Sequence, residues 1–259
     1  MTKDGRELLA FGSKDSNLYL ADLNNPMDPL KIPTGGPVVV SSPSFYVDKH
    51  GRELLAVGSE NNHLHLIDLK DPLRGIKIAT NDGPVISSPT FYRAQDGRDL
   101  LAFGSHDTNL YLVDLERPHE KTIFPTGHAV YCSPRFYLTK GGQELLAFGS
   151  LDNNIYVVDL RTNTVIRKIE TGDFVGSSPA FYLSKDGHEF LAIGSHDYNL
   201  YLIDLNDPTV IHKFKTQGYV FGTPLFYEGS NGTETLIFTS DDGVLRFIEL
   251  FVRSGRGEH

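Results

Sequence analysis

The chain has 259 residues, with 24 basic and 33 acidic side chains, a formal net charge of −9 and no long run of either sign. That balance argues against a nucleic-acid binder built on phosphate neutralisation. The single cysteine, Cys132, cannot form an intramolecular disulfide, and no stretch reaches the ~20 apolar residues of a membrane-spanning helix. The opening MTKDGRELLAF has neither the cationic start nor the apolar core of a secretory signal, so a cytoplasmic location is expected. With 25 Gly, 14 Pro, 12 Tyr and 16 Phe but no Trp, the composition suits an all-β chain of many short strands and turns.

Taken in chain order, one string dominates. ELLAFGS at residues 7–13 returns as ELLAVGS from Glu53, DLLAFGS from Asp99, ELLAFGS from Glu144, EFLAIGS from Glu189 and ETLIFTS from Glu234. Gly12, Gly58, Gly104, Gly149 and Gly194, with Thr239 in the sixth place, are spaced by 46, 46, 45, 45 and 45 residues. Each unit carries four segments of strand chemistry, named A to D: SSPxFY, LLAFGS, NLYLxDL and a K-I-x-T segment such as residues 30–34. KDGRE or QDGRD joins A to B, SxDxN joins B to C, and NDP or RTN joins C to D, all of turn composition. No connection can hold a crossover helix, so each unit is predicted to be a four-stranded antiparallel meander. Meanders repeated at this period predict a six-bladed β-propeller.

Segment A is uncharged on both faces, with Val39, Ser41, Pro43 and Phe45 on one and Val40, Ser42, Ser44 and Tyr46 on the other, so both faces are expected to be buried. Segment B sets small Ala10 and Gly12 against large Leu9 and Phe11, a pattern suited to wedge-like blades. The ends do not make whole units. The chain enters in an A–B turn at residues 1–6 and the last C segment ends near Leu250, so the first blade is expected to lack A and the last to lack D. The expected domain is 1–250, followed by a tail at 251–259. We expect the ring to close with two three-stranded blades; in the competing arrangement the strand at residues 222–227 completes the first blade. Unpaired edges of this kind offer a route to a homodimer.

GSHDTNLYLVDL at residues 104–115 and SSPAFY at residues 177–182 resemble the PQQ-like propeller repeat, and the resemblance covers nearly the whole chain. It implies that A is innermost and that A to D run from hub to rim. It also implies that Asp22, Asp68, Asp114, Asp159 and Asp204, with Glu249 last, close the third strand. Quinoprotein dehydrogenases of that family stack their cofactor on Trp and hold it with vicinal cysteines and calcium. This chain has no Trp and one Cys, so no cofactor is carried over. The Trp-Asp pair of WD repeats and the calcium loops of integrin-type propellers are likewise absent.

No Gly-x-Ser-x-Gly elbow, His-Glu-x-x-His pair, phosphate loop or Cys-x-x-Cys pair occurs, and neither a catalytic residue nor a metal site is expected. His106 with Asp107 and His196 with Asp197 fall in B–C turns and are read as turn residues, Asn17, Asn62, Asn109, Asn154 and Asn199 being expected to take a left-handed backbone. The serines of SSP are read as hydroxyls that bond backbone near the hub. Asn231, in an Asn-Gly-Thr triplet, is read as part of an A–B turn. Variation inside the repeat concentrates in the D–A loops: GPVVV, GPVI, HAVY, DFVG and GYVF. One valine is constant there and its neighbours change. His128, Tyr131, Asp173, Phe174, Tyr219 and Phe221 are therefore the candidate binding residues, forming an aromatic mouth on one half of the axial face. The function expected from this pattern is a non-catalytic scaffold with a protein partner. A small-ligand or metal-binding enzyme or sensor using His128, Asp173 and Tyr131 is one alternative, and a segment of a larger propeller is another.

Overall fold

The computed structural model describes residues 2–38, 41–207 and 209–250; Val39, Val40 and the 251–259 tail lie outside the described residues. Six antiparallel sheets follow one another along the chain. The first holds β1 (Leu8–Gly12), β2 (Asn17–Asp22) and β3 (Asn25–Pro33). The second holds β4 (Ser44–Val47), β5 (Glu53–Ser59), β6 (His63–Asp68) and β7 (Ile76–Ala79). The third holds β8 (Thr90–Arg93), β9 (Asp99–Gly104), β10 (Asn109–Asp114) and β11 (Lys121–Pro125). The fourth holds β12 (Arg135–Leu138), β13 (Glu144–Ser150), β14 (Asn154–Asp159) and β15 (Thr164–Glu170). The fifth holds β16 (Ala180–Leu183), β17 (Glu189–Gly194), β18 (Asn199–Asp204) and β19 (Ile211–Lys215). The sixth holds β20 (Leu225–Glu228), β21 (Glu234–Thr239) and β22 (Leu245–Glu249). Among the described residues the only helix is a 3-10 turn at Pro72–Arg74.

Turn chemistry sets these hairpins. In the A–B turn of the third sheet Gly97 takes φ +83°, which L side chains rarely adopt. In the C–D turns the closing aspartate accepts the N–H two residues on, as Asp114 does from Glu116 and Asp204 from Asn206. The B–C turns correct the expectation for asparagine. The left-handed residues are Ser16, Asn62, Thr108, Asn153 and Tyr198, with Gly243 in the sixth sheet. Asn17, Asn109, Asn154 and Asn199 instead donate their side-chain amides to the main-chain oxygens of Asp15, Asp107, Asp152 and Asp197. In these four turns an amide donor follows the left-handed residue, in the second sheet the His63 ring pairs with the Asn61 carbonyl instead, and of the five asparagines expected to be left-handed only Asn62 is.

B and C strands alternate between two neighbours rather than between core and water. Leu100 and Ala102 of β9 pack with Leu146 and Phe148 of the fourth sheet, whereas Leu101 and Phe103 pack with Leu54 and Ala56 of the second. Both faces are therefore buried, and the small-against-large pattern of segment B is the seam of this stacking. Each constant valine lies on the constant glycine of the preceding B strand: a methyl at Gly58, Gly104 or Gly194 would run into the carbonyl oxygen of Val85, Val130 or Val220. The valine N–H groups hold the same contact, Val85 donating to Ser59 and Val130 to Ser105 at 3.0 Å each.

The inner strands depart from expectation. Ser-Ser-Pro precedes the A strand, which comprises only the four residues around Phe-Tyr, and these strands are half-buried to exposed instead of covered on both faces. β4 approaches β8, β8 approaches β12, and β16 approaches β20, so the A strands of these successive sheets converge while remaining partly uncovered. The SSP hydroxyls do bond backbone: Gly58 N–H donates to Ser41 Oγ at 2.8 Å and Gly104 N–H to Ser87 Oγ at 2.7 Å. Cys132 takes the same place, its Sγ accepting Gly149 N–H at 3.1 Å, and burial pushes its thiol up to about 12.

Five apolar clusters each join two consecutive sheets; among the described residues none joins the first to the last. Leu9 and Phe11 are 51% and 42% exposed on the free face of the first sheet, although their counterparts Leu55, Val57, Leu101 and Phe103 are fully buried. On the free face of the last sheet Leu245 and Phe247 are 53% and 61% exposed. Closure between the two three-stranded sheets is not seen among the described residues. Nor does the strand at 222–227 complete the first sheet, because β20 pairs with β21.

Candidate functional site

The D–A loops and the B–C turns meet at one end of the sheets. Threonine ties each loop down at both ends: Thr171 Oγ1 donates to the carbonyls of Asn153 and Asp173, and Thr216 Oγ1 to those of Tyr198 and Gly218. The turn aspartate of the following sheet adds a third tie, Asp197 accepting the Gly172 N–H at 2.8 Å and Asp242 the Gln217 N–H at 3.0 Å. Burial pushes the Asp197 carboxyl up, but the Tyr201 hydroxyl, the Gly172 N–H and Asn199 together outweigh it and hold the group below the usual carboxylate range. The loop residues that project are therefore carried on a rigid base.

Four of the six candidates meet in one row of rings, and its centre is a residue that the turn composition assigned elsewhere. His196 lies 4.6 Å from Tyr219, 5.7 Å from Phe221 and 6.0 Å from Phe174, centroid to centroid. His128 continues the row 6.1 Å from Phe174, and Tyr198 flanks Tyr219 at 5.4 Å. Phe174, Tyr219 and Phe221 remain exposed. The main chain of the turn joins the loop as well, His196 N–H donating to the Phe174 carbonyl at 2.8 Å. Gly176 makes room beside these rings, since a methyl there would meet the edge of Phe221. His196 Nε2 is buried with no hydrogen-bond partner among the described residues.

Tyr131 and Asp173 join this row less directly. Tyr131 is half-buried and pairs with His106 at 5.7 Å, a separate ring pair over the third sheet. Asp173 turns its carboxylate back onto the Phe174 N–H at 2.8 Å, and His128 Nδ1 accepts the Ala129 N–H at 2.8 Å. Both fix loop shape. His106 and His196 follow Ser in the B–C turns, where Lys14 and Leu151 stand in other units, so the signal available in the sequence was variation at this turn position alongside variation in the loops. Among the described residues no three His, Cys, Asp or Glu side chains gather in a metal-binding group.

No family model matches the chain, and no curated protein matches it. Solved structures do. One is the crystal structure of BBS1N in complex with ARL6DN, soaked with mercury, with a TM-score of 0.63 at 13% identity over 95% of this chain and 75% of that one. Another is the WD40 β-propeller domain of Doa1, with a TM-score of 0.58 at 18% identity over 96% of this chain and 76% of that one. At these identities the likeness speaks for fold alone. Together with the six meander sheets, it defines the chain as an all-β protein of the β-propeller class.

Proposed function

We propose that the chain is a non-catalytic propeller scaffold that binds a protein partner through the ring row centred on His196. The observation that carries this reading is exposure combined with rigidity: Phe174, Tyr219 and Phe221 face solvent from loops tied down by threonine, valine and aspartate. Aromatic side chains that enter a contact already ordered lose little entropy and supply most of the energy at such centres. The BBS1N neighbour was solved in complex with ARL6DN. The repeat strings at 104–115 and 177–182 support a PQQ-like lineage for the same scaffold.

The double substitution Tyr219→Ala with Phe221→Ala tests the proposal. Partner capture from native lysate is expected to fall at least tenfold, with the circular dichroism spectrum and melting temperature unchanged, because both rings are exposed. Unchanged capture by a folded double variant contradicts it. The small-ligand reading rests on one observation, the unpartnered Nε2 of His196. A ligand that shifts the His196 imidazole NMR signals in the absence of any protein partner supports that second reading.

A further inference from the structure

A ladder of rings fastens each inner strand to the next sheet. Tyr46 stacks on Phe91, Tyr92 on Phe136, Tyr137 on Phe181 and Tyr182 on Phe226, with centroids 4.8, 4.9, 4.6 and 4.8 Å apart. Each tyrosine hydroxyl also donates to an acid of the next sheet: to Asp99, Glu144, Glu189 and Glu234 in turn. The same acids accept a main-chain N–H from the preceding A–B turn, as Glu144 does from Gln95 and Glu189 from Lys140.

The first place in this ladder is half-made. Glu53 accepts the Lys3 N–H at 2.6 Å but, among the described residues, no hydroxyl. Phe45 is 46% exposed and no ring among the described residues stacks on it. Between them lies a cavity of about 380 Å3 lined by Leu8, Phe45, Val47, Glu53, Leu54 and Leu69, roomy enough for a tyrosine ring. β1 is the edge strand beside it. In the second sheet Ala56, Leu55 and Leu54 face Ser44, Phe45 and Tyr46; among the described residues the corresponding β1 residues Ala10, Leu9 and Leu8 pair only with β2.

We propose that this slot binds an extended segment of a partner protein that carries a Phe-Tyr pair, added antiparallel to β1. The tyrosine lies opposite Leu8, covers Phe45 and donates its hydroxyl to Glu53; the phenylalanine, opposite Leu9, covers the exposed face of the first sheet. Main-chain pairing to an open sheet edge supplies affinity and the ring slot supplies selectivity. The occupant's chemistry follows from the four filled slots that continue the same line of interfaces. The site is separate from the ring row at His196.

The test is fluorescence anisotropy of a labelled peptide SSPAFYL, copied from residues 177–183, titrated with the full chain. Saturable binding is expected, weakened about fivefold by Tyr182→Phe in the peptide and at least tenfold by Tyr182→Ala. In the protein, Glu53→Gln is expected to weaken binding several-fold and Phe45→Ala at least tenfold, with circular dichroism reporting whether each variant is folded. The peptide series decides the matter even if a protein variant fails to fold. The proposal is overturned by equal affinity for the Tyr182→Ala peptide, or by no binding up to about 1 mM. It is also overturned by a concentration-dependent mass in light scattering that Phe45→Ala abolishes, which assigns the slot to a second copy of the chain.

Discussion

Tyr198 holds φ +69°, a left-handed conformation that costs an L side chain about 1–2 kcal/mol, at the turn position filled elsewhere by Ser16, Asn62, Thr108 and Asn153. Its ring is exposed and flanks Tyr219, so the stacking it gains is worth only about 0.5 kcal/mol. Strain outweighs contact, as happens where a residue is kept for what it presents. Tyr198→Asn is therefore expected to stabilise the fold by about 0.5–1 kcal/mol in urea melts, with partner capture reduced; a destabilised variant contradicts the strain. His65 replaces the Tyr111, Tyr156 and Tyr201 of other units, and burial pushes its imidazole down from 6.5 to about 4. The unfolded chain takes up that proton first, so the stability owed to a neutral buried ring is complete above pH 6.5 and is lost as pH falls toward 4. His65→Tyr is expected to remove a slope of up to about 1.4 kcal/mol per pH unit across that window. Identical slopes in wild type and variant, measured by urea melts at pH 6.5 and 4.5, contradict the assignment. Neither residue announces itself in the sequence. Both occupy positions whose meaning depends on a backbone angle or a neighbouring sheet, and a repeat pattern reports neither.

At the scale of elements, the pairing of glycine with valine is the contact most sensitive to size. The constant glycine of strand B and the constant valine of the D–A loop are both visible in the sequence, but their mutual contact is not, because they lie about half a repeat apart. A methyl at Gly104 meets the Val130 carbonyl oxygen and Cγ1 together, and the carbonyl cannot rotate away. Gly104→Ala is expected to cost about 3 kcal/mol, the upper end of overpacking, and Val130→Ala in the same chain is expected to restore only part of it. A cost below about 1 kcal/mol in denaturant melts contradicts this close approach. Segments B, C and D were legible because their apolar runs and turn residues recur in phase. Segment A is shorter and less buried than its pattern implies. Proline and the paired serines serve the approach to the hub, and only Phe-Tyr and its two flanking residues form the strand.

The whole molecule is a succession of sheets in which each interior belongs to two neighbours, so the first and last expose faces that every other sheet covers. Period and turn composition were sufficient to read a propeller of six meanders. They could not show whether its ends meet, because closure depends on accumulated twist rather than on any local string. Four candidate residues of the mouth do come together, since loops at the same place in successive units converge at one end. His196 does not stand out in the sequence because its turn neighbours are ordinary capping residues. The most direct measurement is hydrogen–deuterium exchange of the chain with and without its captured partner. Slowed exchange is expected in the loops at 172–176 and 217–221 and in the turn at 195–199, with the outer strands β11, β15 and β19 unchanged. Protection confined to those outer strands, with the loops exchanging as in the free chain, contradicts a binding surface centred on His196.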